Sequence, residues 1–263
     1  MARLGEPHDD MGSTVKPEPG AEGFVSGHRF VLLFGVLVAF YVLTPIVDQR
    51  REGLHPAVPP VIEAMLFLAL LLGTVVSVSK GRAWTLLALL LALPAGALWL
   101  LGLVVPSGGV EVIRHLLMIA FLGFVICVML RAIFDSREVT FNTVCASLCI
   151  YLLLGLVWAL AYSVDDVLDP AAFTCTVDAG QHRSWLRLGR GETAVLYFSF
   201  STLTTLGYGD IVPTSPISRM LASTEAIAGQ LYLAVLVARL VGLYIGHSAA
   251  QDQAHGHEPG DGR

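Results

Sequence analysis

Charged side chains are scarce in this sequence. Asp, Glu, Lys and Arg make up 14% of its 263 residues and 55% are hydrophobic, whereas an ordinary soluble domain carries about 25% charged residues. So little charge leaves lipid as the expected solvent. The net charge of −5, from 16 basic and 21 acidic residues, is confined to short segments, so no nucleic-acid partner is expected. Cysteine is also sparse and forms no metal-binding or redox pattern. Cys127, Cys145 and Cys149 lie in apolar runs and are read as packing residues, and Cys175 lies in a polar loop. It is expected to be a free thiol, with a bridge between converging copies as the alternative. A second absence is a ladder of arginines within any apolar run. Arg114 and Arg131 stand at the two ends of one run with an apolar interior between them. Voltage sensing sums about 2.3 kcal/mol per charge per 100 mV over many charges, so it is disfavoured here and the two arginines are read as interfacial anchors. No His/Glu metal motif or Ser/Lys dyad stands out, which argues against an enzyme. Met1 to Gly23 lacks an apolar centre, so no cleavable signal peptide is expected and the first run is read as a retained span.

What the sequence does have is long apolar runs. Five precede residue 164, at 28–47, 59–79, 83–105, 111–134 and 141–163, and a sixth occupies 216–246. Each is close to the ~20 residues that a helix needs to cross about 30 Å of hydrocarbon. Ser215 and Pro216 suit the N-cap and first position of the last helix. Between the fifth and sixth runs, Val164 to Gly191 reads as a polar loop carrying Asp165, Asp166, Asp169, Asp178, Arg183, Arg187 and Arg190. Glu192 to Thr204 then reads as a half-length helix, broken from what precedes it by Gly189 and Gly191. It reaches roughly 20 Å, too short to cross, so the chain must enter and return. Non-helical backbone at that depth is tolerated only where protein buries it or it lines a wet cavity.

The return carries Thr204-Thr205-Leu206-Gly207-Tyr208-Gly209-Asp210. Carbonyls of consecutive residues converge only if the backbone alternates through conformations closed to most L-residues, which Gly207 and Gly209 permit. The stretch resembles the selectivity filter of potassium channels, in which backbone carbonyls replace an ion's hydration shell. Glu225 to Gly242, on the last run, resembles the inner helix of prokaryotic potassium-channel pore modules. The resemblance covers roughly 141–246. It implies an all-α membrane fold with six transmembrane helices, a re-entrant pore helix and a single pore loop. It also implies a homotetramer in the lipid bilayer, because one filter copy cannot close a ring.

By that resemblance Thr205 contributes a carbonyl and a hydroxyl, and Leu206, Gly207 and Tyr208 contribute carbonyls further out, with Gly209 closing the K+-binding row. No cofactor is implied beyond the permeant ion. Tyr197 and Phe198 fall where the family has an aromatic cuff, with Tyr197 the candidate for a polar clamp and ordinary aromatic packing as the alternative. Thr204 supports the filter, and Asp210 would concentrate cations at the outer mouth. Leu206 stands where potassium filters have valine, which leaves the ranking of potassium over sodium open. Gly229 is a candidate hinge, with close helix packing as the alternative. Leu236 and Leu240, with Val241 nearby, are candidates for an apolar gate, with lipid contact as the alternative. Glu225 is expected to hydrogen-bond near the half-length helix, and Arg239 to snorkel to the cytoplasmic interface.

The expected domains are a polar N-terminal tail (1–27), a four-helix region without a sensor ladder (28–140), the pore module (141–246) and a short solvated tail (247–263) carrying His247, His255 and His257. A filter entering from outside puts both termini in the cytoplasm, and the expected membrane is a prokaryotic plasma membrane. Lys80, Arg82, Arg131 and Arg137 then fall inside, while Arg50, Arg51, Arg183, Arg187 and Arg190 fall outside against the charge rule. The competing readings are a weakly selective cation channel and a potassium-transporter subunit; the latter usually has several degenerate loops, and one intact loop is found here.

Overall fold

The computed structural model describes residues 21–49, 65–66, 68–75, 82–104, 108–135, 140–175 and 191–255. Along the chain these form helices α1 (Ala21–Gln49), α2 (Arg82–Val104), α3 (Gly108–Asp135) and α4 (Phe141–Leu168), then strand β1 (Phe173–Cys175), helix α5 (Gly191–Leu203), strand β2 (Ile211–Pro213) and helix α6 (Pro216–His255). A further helical stretch, 68–75, lies within the run expected at 59–79. Among the described residues, four helices are long and apolar enough to cross a membrane: Arg29–Gln49, Gly108–Phe134, Phe141–Leu168 and Pro216–Arg239. Leu86–Leu98 and Thr193–Leu203 are shorter apolar helices.

Helix α4 is the centre of the packing, touching α1, α3, α5 and α6. Its Cys149, Ile150 and Leu153 are fully buried, as are Leu37 on α1 and Phe121 and Val125 on α3. The α4 N-terminus is set by Thr140, whose side chain accepts from the Thr143 amide, satisfying one of the helix's first free donors. This helix runs five residues past the expected end at 163 and takes Asp165 and Asp166 out of the expected loop. Both are buried, at 6% and 1% exposure. The helix continues because nothing breaks it before Asp169-Pro170, and a proline disfavours helical backbone in the residue before it.

Two other expectations are corrected. The segment after α4 is not only loop: Phe173–Cys175 pairs antiparallel with Ile211–Pro213, with Thr174 opposite Val212. The Thr214 amide and the Ser218 hydroxyl both donate to the Ala172 carbonyl, at 2.8 and 2.9 Å, so the pairing continues into the start of α6. The last helix also does not stop at 246 but runs as 40 residues to His255. Residues 247–255 contain alanine and glutamine, good helix formers, and no proline, and one glycine costs a helix only about 1 kcal/mol. Forty residues at about 1.5 Å each span ~60 Å, twice the hydrocarbon thickness.

Several sequence readings lie outside the described residues: the N-terminal tail through residue 20, Arg50, Arg51, Lys80, Arg137, Asp178, Arg183, Arg187, Arg190 and His257. The backbone of Leu240 is described as helix, but its side chain is not.

Candidate functional site

Helix α5 ends by handing its last carbonyls to the segment that follows. The Ser201 carbonyl accepts from the amides of Leu206 and Gly207 at 2.8 and 3.1 Å, and the Thr202 carbonyl accepts from the Thr205 amide at 2.9 Å. This is a Schellman closure with Thr205 at the left-handed position, at φ 60°, where glycine is the usual residue. Thr205 is the only non-glycine with positive φ among the described residues. A β-branched residue held there is strained by about 1–3 kcal/mol.

Gly207 and Gly209 follow at φ 55° and 77°, while Leu206 and Tyr208 between them keep negative φ. Left-handed backbone therefore recurs at every second residue from 205 to 209. A row of carbonyls on one side of an extended strand requires this kind of alternation. Leu206 and Tyr208 are 58% and 67% exposed in the single chain, so one side of the segment is uncovered.

The candidate support residues divide. Tyr197 stacks on Tyr208, with centroids 6.1 Å apart and planes at 11°, and its side chain hydrogen-bonds Asp210. Asp210 Oδ1 also accepts from the Ile211 amide at 3.0 Å. The Thr204 hydroxyl donates back to the Phe200 carbonyl at 2.6 Å. Phe198 turns away from the segment into a buried aromatic cluster, edge-on to Tyr162 at 5.0 Å and to Phe173 at 5.4 Å.

Behind α5 lies a polar triad. Glu225 on α6 is fully buried. It contacts the Tyr162 hydroxyl of α4 at 2.5 Å and the Ser199 hydroxyl of α5 at 2.6 Å. Ser199 also donates to the Gly155 carbonyl of α4 at 2.7 Å. Sequence reasoning singled out Glu225 but missed Tyr162, Ser199 and Gly155. A Cβ at Gly155 would lie 2.2 Å from the Phe200 ring, so the glycine is what admits that ring.

Gly229 faces the end of α5. A Cβ there would lie 2.6 Å from the Leu203 carbonyl oxygen, an oxygen that also lies 3.4 Å from the Tyr151 hydroxyl. Close packing therefore explains this glycine without a hinge. Lower on α6, the Tyr232 hydroxyl donates to the Ser147 carbonyl at 2.6 Å. Arg239 donates to the Ile133 carbonyl at the end of α3 and lies 4.8 Å over the Phe134 ring. It is held by protein, a more specific placement than snorkelling requires. Leu236 is half-buried and Val241 exposed.

One comparison with known proteins falls on this same region. Residues 181–245 match a family model described as ion channel. Protein LctB of Bacillus caldotenax is 31% identical over 130 residues, covering 46% of this chain and 93% of LctB. The chain belongs to the LctB family. Two-pore potassium channel 1 of Arabidopsis thaliana is 43% identical over 49 residues, 19% of this chain and 14% of that protein. The inward rectifier potassium channel Kirbac3.1 of Paramagnetospirillum magnetotacticum is 32% identical over 87 residues, 33% of this chain and 24% of that one. The chain thus spans nearly all of LctB but under a quarter of these two channels. No solved structure matches. In this LctB-family chain the ion-channel match contains α5, the alternating segment, β2 and most of α6.

Proposed function

We propose that the chain is one subunit of a passive potassium-selective channel. Four copies surround a pore lined by the carbonyls of Thr205, Leu206, Gly207, Tyr208 and Gly209. The observation that carries this reading is the alternation of left-handed backbone at 205, 207 and 209 on the tip of a helix of 13 residues. Such a segment supplies one wall of a carbonyl-lined filter. The C-terminal end of α5 points its negative dipole toward the same place, which favours a cation. The ion-channel match and the two relatives named as potassium channels support the class and the ion.

The whole subunit is read as six spans in a cell membrane with both termini in the cytoplasm, using no cofactor other than the permeant ion. Leu206 favours one second reading, a weakly selective cation pore, because leucine is less stiff than the valine of potassium filters.

Purified protein reconstituted in bilayers under opposed potassium and sodium gradients tests both. A reversal potential near that of potassium supports the first reading, and one near zero supports the second. Gly207→Ala is the companion test. A Cβ there meets nothing within 4 Å, so its cost comes from forcing φ 55° on an L-residue, about 1–2 kcal/mol. Conduction should be lost while membrane insertion persists, and an unchanged current would count against the filter.

A further inference from the structure

The exposed side of α6 has two unlike flanks. Each residue turns a helix by about 100°. Glu225, Gly229, Tyr232 and Arg239, which meet α3, α4 and α5, therefore share one face about 80° wide. Measured from Glu225, Gln230 lies about 140° round, and Ser223, Ala234 and Val241 lie within about 40° of it. All four are exposed in the single chain. Met220, Ile227, Leu231 and Val235 occupy the other flank, at about 200–280°, and are exposed as well. One flank is thus small or polar down to Ala234, and the other is bulky and apolar throughout. The charged residues between Ser223 and Val241 are Glu225 and Arg239, both on the anchored face, so the small flank is neutral.

Gln230 is the member that hydrocarbon does not suit. It lies within the apolar span Pro216–Arg239. The Ser223 and Thr224 hydroxyls donate to the Arg219 and Met220 carbonyls at 3.0 and 2.7 Å, so these side chains are satisfied on their own helix. A glutamine amide brings two N–H donors and a carbonyl acceptor, and no described residue bonds it. Leaving such an amide in lipid is costly, and polar side chains within spans face protein or water. The protein that packs on α6 lies on the opposite face, which leaves water.

The height of Gln230 says which water. A Cβ at Gly229 would lie 2.6 Å from the carbonyl oxygen of Leu203, the last residue of α5, and Gln230 is about 1.5 Å further along α6. It is therefore level with the end of α5, just below Thr205, where the alternating segment begins.

We propose that Gln230 is a specificity-determining residue of the pore, an inference that rests on the channel reading above. Four copies line the water-filled space below the filter with neutral amides. Each amide carbonyl accepts from the hydration shell of a monovalent cation waiting at Thr205. Because the ring has dipoles and no net charge, it does not trap divalent cations there. The bulky flank carrying Ile227 and Leu231 faces away from this water.

The test is current through the purified full chain in bilayers, with magnesium applied to either face. Gln230→Glu keeps the shape and puts four carboxylates in the ring, so half-block by magnesium from the inner face should need about tenfold less of the ion, or lower still. Gln230→Cys should lose its current to a membrane-impermeant cationic thiol reagent. Leu231→Cys and the parent, which has the same native cysteines, should keep theirs. The cysteine pair decides the matter should the glutamate variant not fold. A conducting Gln230→Glu with the magnesium block of the parent, or a Gln230→Cys current that survives the reagent, would overturn the proposal while a potassium-selective parent leaves the pore reading standing. A parent that passes no potassium overturns the pore reading, and this inference with it.

Discussion

Replacing Glu225 separates two states of the triad behind the filter segment. Three contacts meet there: Tyr162 to Glu225 at 2.5 Å, Ser199 to Glu225 at 2.6 Å and Ser199 to Gly155 at 2.7 Å. Tyrosine and serine bring one proton each. An ionised carboxylate would leave three contacts to share two protons, with a bare oxygen–oxygen approach at one of them. A protonated carboxyl closes the set: Tyr162 donates to Oε2, Oε1–H donates to Ser199, and Ser199 donates to the Gly155 carbonyl. Glutamine has the same shape, and its amide NH2 replaces the acid's donor. Glu225→Gln should therefore fold and conduct like the parent. Glu225→Ala leaves the Tyr162 donor and a Ser199 acceptor unmatched in a fully buried place, at about 1–3 kcal/mol per orphaned group. Two such groups cost about 2–6 kcal/mol together, and because Ser199 keeps its bond to Gly155 the sum falls in the lower part of that range, about 2–4 kcal/mol. For a chain of this size that lowers the unfolding midpoint by roughly 5–15 °C. Thermal unfolding of the solubilised variants, with ion flux in liposomes, measures both. A glutamine variant as damaged as the alanine variant would refute the protonated triad, and an alanine variant as stable as the parent would refute the triad's structural role.

Further substitutions probe the same frame. Gly229→Ala gains about 1 kcal/mol of helix propensity but forces an overpacking cost of about 1–3 kcal/mol against the Leu203 carbonyl. It should melt lower, and Leu203→Ala should not rescue it because the nearest atom is backbone; unchanged stability counts against close packing. Tyr197→Phe keeps the stack on Tyr208 and loses the bond to Asp210, whereas Tyr197→Ala loses both. The potassium-to-sodium permeability ratio should fall further in alanine than in phenylalanine, by roughly two- to tenfold, and equal ratios would remove Tyr197 from filter support. Arg239→Ala frees the Ile133 carbonyl and the Phe134 ring, a loss of about 1–2 kcal/mol. Hydrogen exchange should quicken at 130–135 and 236–242, and unchanged protection would show that the contact holds nothing.

Legibility from sequence follows how local the physics is. The half-length helix and the glycine alternation are local: a short apolar run between breakers, and two glycines two apart. Thr205 is harder, because its left-handed backbone is imposed by the closure of α5 on Ser201 and not by its own propensity, which opposes it. The triad is harder still. An ionisable residue in an apolar run marks Glu225, but its partners lie 26 and 63 residues away, and only the crossing of three helices selects Tyr162 and Ser199. Gly155 carries no signal at all, since its role is defined by the ring of Phe200 on another helix. The same applies to β1 and β2, three residues each, whose pairing skips the whole of α5.

These contacts also limit how α6 can move. Glu225, Gly229 and Tyr232 tie its upper half to α4 and α5, and Arg239 ties its lower half to the end of α3. Leu236, the candidate constriction, lies between the last two anchors. A pivot at Gly229 would draw the helix away from the Leu203 carbonyl and break the Tyr232 bond to Ser147. A displacement confined to the segment below Tyr232 leaves the upper anchors intact and requires only that Arg239 leave Ile133 or carry α3 with it. The second movement disrupts fewer buried polar contacts. In the proposed pore, opening at the height of Leu236 would therefore be coupled first to α3, the helix that carries Arg114 and His115 at its other end.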